Sequence, residues 1–178
     1  MKANAGEVYT VYNQYLKRYT ACQVAYIAPP DTVSEQLCAV LLSLDWVGDA
    51  PLTAEELPHL GPLYKDFMYW PRNLHLLRVP VEIPPQYTLV GTLLPFTDEP
   101  CHSYGGWNNG YEVYLQMRWQ AIPEKRRRAF KEAMESDEQT EIGGILVKVS
   151  SHRVMDQYAP FDSALELEAL PCLSDLIC

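Results

Sequence analysis

The stretch that most constrains this chain is Tyr104 to Trp119, YGGWNNGYEVYLQMRW. It opens with Gly105-Gly106 and Asn108-Asn109-Gly110, residues that tolerate the positive φ angles of tight turns. Strict alternation follows. Tyr111, Val113, Leu115, Met117 and Trp119 fall on one face; Glu112, Tyr114, Gln116 and Arg118 fall on the other. Period two over a segment rich in aromatic and branched side chains predicts a strand with one face buried. At ~3.3 Å per residue it would span roughly 30 Å, and it reads as the central strand of a sheet.

The residues before it supply further strands. Glu7 to Tyr12 and Tyr19 to Ile27 flank the polar turn Asn13 to Arg18, a hairpin by pattern. Leu37 to Trp46 is nearly continuous in apolar character. That suits a strand buried on both faces, with a buried helix as the competitor. Three strands joined by short turns predict a small curled sheet of SH3-like type. Thr53 and Glu56 have capping-box spacing, so a short helix should follow and stop at Pro58 or at Gly61-Pro62. Pro62 to Trp70 is a dense apolar-aromatic patch. Leu74 to Val81 and Tyr87 to Leu94 are strand candidates, the second with Gly91 as a bulge position.

Past Trp119 the character changes. Pro123 is well placed for the first turn of a helix, with Ala129, Phe130, Ala133 and Met134 as its inner stripe. Glu141 to Ser150 reads as a strand entered through Gly143-Gly144, and the tail from Phe161 as a short amphipathic helix broken at Pro171. Strands outnumber helices. The expected fold is α+β: one domain over residues 1–178, a mostly antiparallel twisted sheet with two or three peripheral helices.

Net charge is −9. This argues against non-specific nucleic-acid binding and against an anionic membrane surface, and it fits a basic partner. The five cysteines, Cys22, Cys38, Cys101, Cys172 and Cys178, show no CxxC. The N-terminal MKANAGEVYT has no apolar signal core, and no run approaches the ~20 apolar residues of a membrane span. Reduced thiols in the cytoplasm are the expectation.

No catalytic, cofactor or metal motif is recognisable. His59, His75, His102 and His152 lack ligand spacing to one another or to a cysteine. Cys101-His102-Ser103 holds a nucleophile and a base, but adjacent residues on an extended chain point to opposite faces. Gly105-Gly106 and Gly143-Gly144 lack phosphate-loop patterns. The basic run Lys125 to Arg128 is offset by Glu124, Glu132 and Glu135, which makes it a solvated helix face. Trp119 and Trp46 read as core. Trp70 stands beside Pro71 and Trp107 in a Gly/Asn turn, where exposed aromatics serve as binding anchors, and Tyr69 joins them as a candidate. Asp45, Asp49, Glu55 and Glu56 would form an acidic rim.

The opening G-E-V-Y-x-V-Y followed by Y-T-A-C-Q-V resembles the start of bacterial immunity proteins, the cognate inhibitors of polymorphic and contact-dependent-inhibition toxins. Relative to that opening, Tyr12 stands where the pattern has proline and Cys22 where it has glycine. Asp45 to Asp49 (D-W-x-G-D) and Tyr104 to Trp107 (Y-G-G-W) look like motifs of bacterial proteins of similar size. The resemblance implies a cytosolic binding protein with no chemistry of its own. Its partner would be a basic toxin domain, such as a nuclease, held by direct protein–protein contact. A peptide-binding regulatory domain and a small Cys/His hydrolase are the alternatives.

Overall fold

The computed structural model describes residues 1–32, 34–67, 71–107, 110–125, 127, 128, 131, 139–142 and 145–148. The chain divides into two compact units, residues 1–65 with 72–114, and residues 66–71 with 115–178. The class is α+β with antiparallel strand pairing throughout its sheets.

The first unit is built on a hairpin. β1 (Glu7–Asn13) and β2 (Arg18–Ala28) pair antiparallel, with Tyr12 opposite Tyr19 and Asn13 opposite Arg18. The turn closes because the Asn13 Oδ1 accepts from the backbone N–H groups of Tyr15 (3.0 Å) and Leu16 (3.2 Å). An asparagine side chain here does what a backbone carbonyl would do in a longer turn. Lys17 completes the reversal at φ 55°, in the left-handed region.

β3 (Cys38–Gly48) lies beside β2, and Cys38 through Leu44 are all buried, as the apolar run predicts. Its two faces feed two cores. Val40, Leu42 and Leu44 pack with Val8, Ala21, Leu52 and Leu57. Ala39 and Leu41 pack on the other face with Tyr9, Val24, Val79 and Trp107. Leu41, Leu42 and Leu44 are each at most 1% exposed, and burying one such side chain is worth about 1.5–3 kcal/mol. β6 (Leu76–Pro80) pairs with β3, and β7 (Thr88–Thr92) pairs with β1, giving the order β6-β3-β2-β1-β7. The short strands β4 (Tyr64–Lys65) and β5 (Asn73–Leu74) form a separate pair.

Gly91 pairs with Val8 and Leu89 with Tyr9, which leaves Val90 as an extra residue. The bulge therefore falls next to the glycine that signals it. A Cβ on Gly91 would stand 2.7 Å from the Leu57 side chain, so the lack of one lets the bulged strand approach the core. The segment after β7 is held from β2. Gln23, fully buried, donates to the carbonyls of Leu93 and Leu94 and accepts from Phe96 N–H. Tyr26 OH donates to the Glu99 carbonyl and accepts from Cys101 N–H. Ahead of β1, Gly6 adopts φ 86°, and a Cβ there would meet the Leu93 carbonyl oxygen at 2.6 Å. The capping box is present: Glu56 accepts from the Thr53 N–H at 2.9 Å and from its hydroxyl at 3.0 Å. A 3-10 helix follows over Ala54–His59.

Three expectations need correction. Tyr111–Trp119 is no strand; it lies inside the helix α1 (Gly110–Ala121). An i,i+4 pair such as Leu115 and Trp119 satisfies period two as well as period 3.6, so the alternation does not separate the two. Gln116 does: it is 2% exposed, on what would be the polar face of a strand. Leu, Gln, Met, Arg and Glu are also strong helix formers. Leu74 to Val81 is not one strand, because His75 interrupts it between β5 and β6. Glu141 to Ser150 is not one strand either. β8 (Gln139–Ile142) and β9 (Ile145–Lys148) form a hairpin with Ile142 opposite Ile145. Gly143-Gly144 lies outside the described residues.

In the second unit, Gln116 accepts from the N–H groups of Asp66 (2.8 Å) and Phe67 (3.1 Å) and donates to the Asp66 carboxylate (2.8 Å). A further helix begins after Pro123, as the proline predicts. Arg127 N–H donates to the Pro123 carbonyl, and Arg128 pairs with Glu124 at 2.9 Å. The expected inner stripe from Ala129 and the tail from Phe161 lie outside the described residues.

Candidate partner-binding surface and cleft

At the tip of the β1–β2 hairpin the first unit exposes tyrosines. Tyr12 is 53% exposed, and Tyr15 and Tyr111 are each 43% exposed. Their positions are fixed by one another. Tyr12 meets Tyr19 edge to face at 5.3 Å, Tyr15 meets Tyr111 at 5.2 Å, and Tyr111 stacks on Tyr114 at 6.0 Å. Asn13 welds the tip to the start of α1: its Nδ2 donates to the Gly110 carbonyl at 2.9 Å while its Oδ1 holds the turn. Rigid amphipathic rings on a fixed turn are the composition of recognition surfaces.

Beside these rings opens a cleft of about 370 Å³. Tyr12, Gln14, Tyr15, Gln86 and Tyr87 line it, over Val11 and Thr20. Among the described residues, no lining side chain carries a charge at neutral pH. The Tyr87 hydroxyl is raised above its ordinary range by burial, and it donates to the Trp107 carbonyl.

A second constellation runs from the buried Ser43 and His75 to the half-exposed Glu112. Ser43 Oγ lies 2.7 Å from His75 Nδ1, His75 Nε2 lies 2.8 Å from Glu112 Oε2, and Lys65 Nζ stands 3.3 Å from the same carboxylate oxygen. The hydrogen bond with His75, joined by the charges of His75 and Lys65, holds Glu112 at about 2 against the opposing effect of burial. Serine, histidine and carboxylate in a row invite comparison with a nucleophilic triad. Ser43 is 1% exposed at the centre of β3, however, and no substrate carbonyl can reach its oxygen in this arrangement. What the row does is satisfy buried polar groups where β3, the β5–β6 break and α1 meet.

The residues expected from sequence to bind a partner are scattered in their roles. Asp45 and Glu55 are exposed. Asp49 is exposed and pairs with Arg18 at 2.7 Å. Glu56 is committed to Thr53, whose hydrogen bonds lower its pKa, and it also accepts from Trp46 Nε1 at 3.2 Å. Trp107 is not an exposed anchor: it is 4% exposed. Its Nε1 donates to the Pro80 carbonyl at 2.8 Å, and its ring meets Tyr9 and Tyr87 edge to face. Beside a Gly/Asn turn the sequence suggests exposure, but the nearby tyrosines of β1 and residue 87 close over the indole. Tyr69 and Trp70 lie outside the described residues.

Cys22, Cys38 and Cys101 are free and buried. Burial pushes the Cys22 thiol up to about 12 and also raises Cys101, which leaves little thiolate for chemistry. His102 beside Cys101 is exposed. Among the described residues no group of three or more His, Cys, Asp or Glu could hold a metal ion, and no helix is long and apolar enough to cross a membrane.

Sequence reasoning missed both constellations. Ser43 and Glu112 reach His75 across 32 and 37 residues, so no local spacing betrays them. The one available signal for the tip was the density of tyrosines on either side of Asn13. No family model, curated protein or solved structure matches this chain.

Proposed function

We propose that this chain is a cytoplasmic immunity-type protein that neutralises a basic toxin domain by direct contact, without cofactor or chemistry of its own. The observation that carries this reading is the group of exposed tyrosines, Tyr12, Tyr15 and Tyr111, fixed on a rigid turn. Asp49, at the end of β3, belongs to the same end of the sheet, since Tyr19 pairs with Gly48 and with Tyr12. Aromatic anchors of this kind carry most of the affinity of a protein interface. The net charge of −9 supplies long-range attraction for a basic partner. The resemblance of residues 6–24 to immunity proteins supports the same reading.

The test is protection. A toxin domain encoded beside this chain is expressed in a sensitive cell with and without it. Growth should be rescued by the native chain and lost with the double change Tyr15→Ala and Tyr111→Ala, the fold being checked by circular dichroism. Rescue by the double variant equal to that by the native chain would place the contact elsewhere. Failure of the native chain to protect or to bind overturns the reading.

A further inference from the structure

We propose that the cleft at the hairpin tip is a binding site for a neutral saccharide. This goes beyond the protein-partner reading and does not depend on it, although a sugar in the cleft would share Tyr12 and Tyr15 with a partner.

The ligand class follows from the lining. An anion or a cation held in a cleft needs an opposite charge or a set of aimed dipoles to replace its water. Among the described residues the lining offers no charged side chain. A purely apolar ligand would fit poorly too, because Gln14 and Gln86 bring side-chain amides with no partner among the described residues, beside the phenol of Tyr12, a residue that is 53% exposed. Amides and hydroxyls both donate and accept. A sugar hydroxyl does the same, so each can be satisfied without fixing which side gives the proton. The rings of Tyr12, Tyr15 and Tyr87 complete the match. A pyranose carries a face of C–H bonds, and the negative face of an aromatic ring attracts their electropositive hydrogens.

Size and rigidity agree. About 370 Å³ is at the lower end of the ~300–1,000 Å³ of small-molecule sites. Part of the wall is set before a ligand arrives. Asn13 spends both ends of its amide on the Tyr15, Leu16 and Gly110 backbone, and Tyr87 is held through the Trp107 carbonyl. These two groups need no ordering on binding, whereas the exposed Gln14 and Gln86 amides are ordered by the ligand itself, which keeps the expected affinity modest.

The experiment is a titration followed by amide NMR, with cellobiose, N,N′-diacetylchitobiose and methyl β-glucopyranoside as separate probes. Arginine methyl ester, inorganic phosphate and adenosine are the controls. At least one sugar should give saturable shifts at Gln14, Tyr15 and Gln86, with a Kd on the order of 1 mM. Gln86→Ala and Tyr12→Ala, both at exposed positions, should each weaken it by about tenfold, typical of losing one anchoring contact. The proposal is overturned if no sugar gives a saturable shift, if the shifts map away from the cleft, or if both variants bind as the native chain does. It is equally overturned if a charged control or adenosine binds more tightly than every sugar.

Discussion

His75 and Glu112 are joined by a hydrogen bond of 2.8 Å, between a ring that is 2% exposed and a carboxylate that is 41% exposed. The bond links the break between β5 and β6 to the first turn of α1, so the charge of one carboxylate is felt by the placement of a helix.

That charge has a pH dependence of known sign. The Glu112 carboxyl titrates at about 2 in the folded chain against an ordinary 4.5. Its ionisation therefore contributes stability that is fully present above about 4.5 and is lost as pH falls from 4.5 towards 2. Glu112→Gln should be less stable than the native chain at pH 7. Its urea midpoint should fall less steeply across that acid window. Equal slopes for the two proteins would show that this pair does not govern the acid limb.

Asn13 supports three backbone groups at once. Asn13→Ala leaves these groups without their side-chain partner at a site that is 4% exposed. The expected cost is roughly 1–3 kcal/mol in urea unfolding. Tyr15 and Tyr111 should also lose their fixed geometry, visible as a change in the near-ultraviolet circular dichroism. A variant as stable as the native chain would mean that water replaces the amide at no cost.

Trp107 separates a core role from a surface role. Trp107→Ala removes a buried indole and should cost about 3–5 kcal/mol. Trp107→Phe should recover part of this, since it keeps an aromatic ring but loses the hydrogen bond to Pro80 and some of the indole's volume. A Trp107→Ala protein with native stability would restore the surface assignment.

The thiols should be silent until the chain unfolds. At pH 7, iodoacetamide followed by peptide mapping should leave Cys22, Cys38 and Cys101 unlabelled in the native protein and label all three in urea. Rapid native labelling of Cys22 is the outcome that contradicts its burial.

For a basic partner, association should slow as salt rises while dissociation changes little, because charges beyond ~8 Å are screened at physiological ionic strength. Reversing Asp45 and Glu55 together should slow association several-fold. Stopped-flow mixing at two salt concentrations measures both effects, and an association rate indifferent to salt rules out steering.

What the sequence shows of this fold depends on how local each cause is. The hairpin of β1 and β2 and the Thr53–Glu56 cap are written in adjacent residues, and pattern alone places them; the apolar run of β3 is equally local, but pattern leaves a buried helix open there. The helix over Gly110–Ala121 is not placed by pattern, because Leu115 and Trp119 serve either period and only the depth of Gln116 decides. His75 breaks a strand in order to reach Ser43 and Glu112, and its partners are far along the chain. Trp107 is buried by Tyr9 and Tyr87 from elsewhere in the sequence. The candidate surface is likewise assembled from residues about a hundred positions apart.

The bulge at Val90 bears on how far the sheet margin could accept a second molecule. β7 is one margin of the five-stranded sheet, where an unpaired strand can recruit a second molecule into a shared ladder. The extra residue interrupts the outward row of donors and acceptors within a strand only five residues long. The opposite margin is already occupied: Arg78 of β6 donates its N–H to the Ser103 carbonyl and accepts from Gly105 N–H. With one edge interrupted and the other engaged at Arg78, neither margin is a long unbroken template for fibril growth among the described residues.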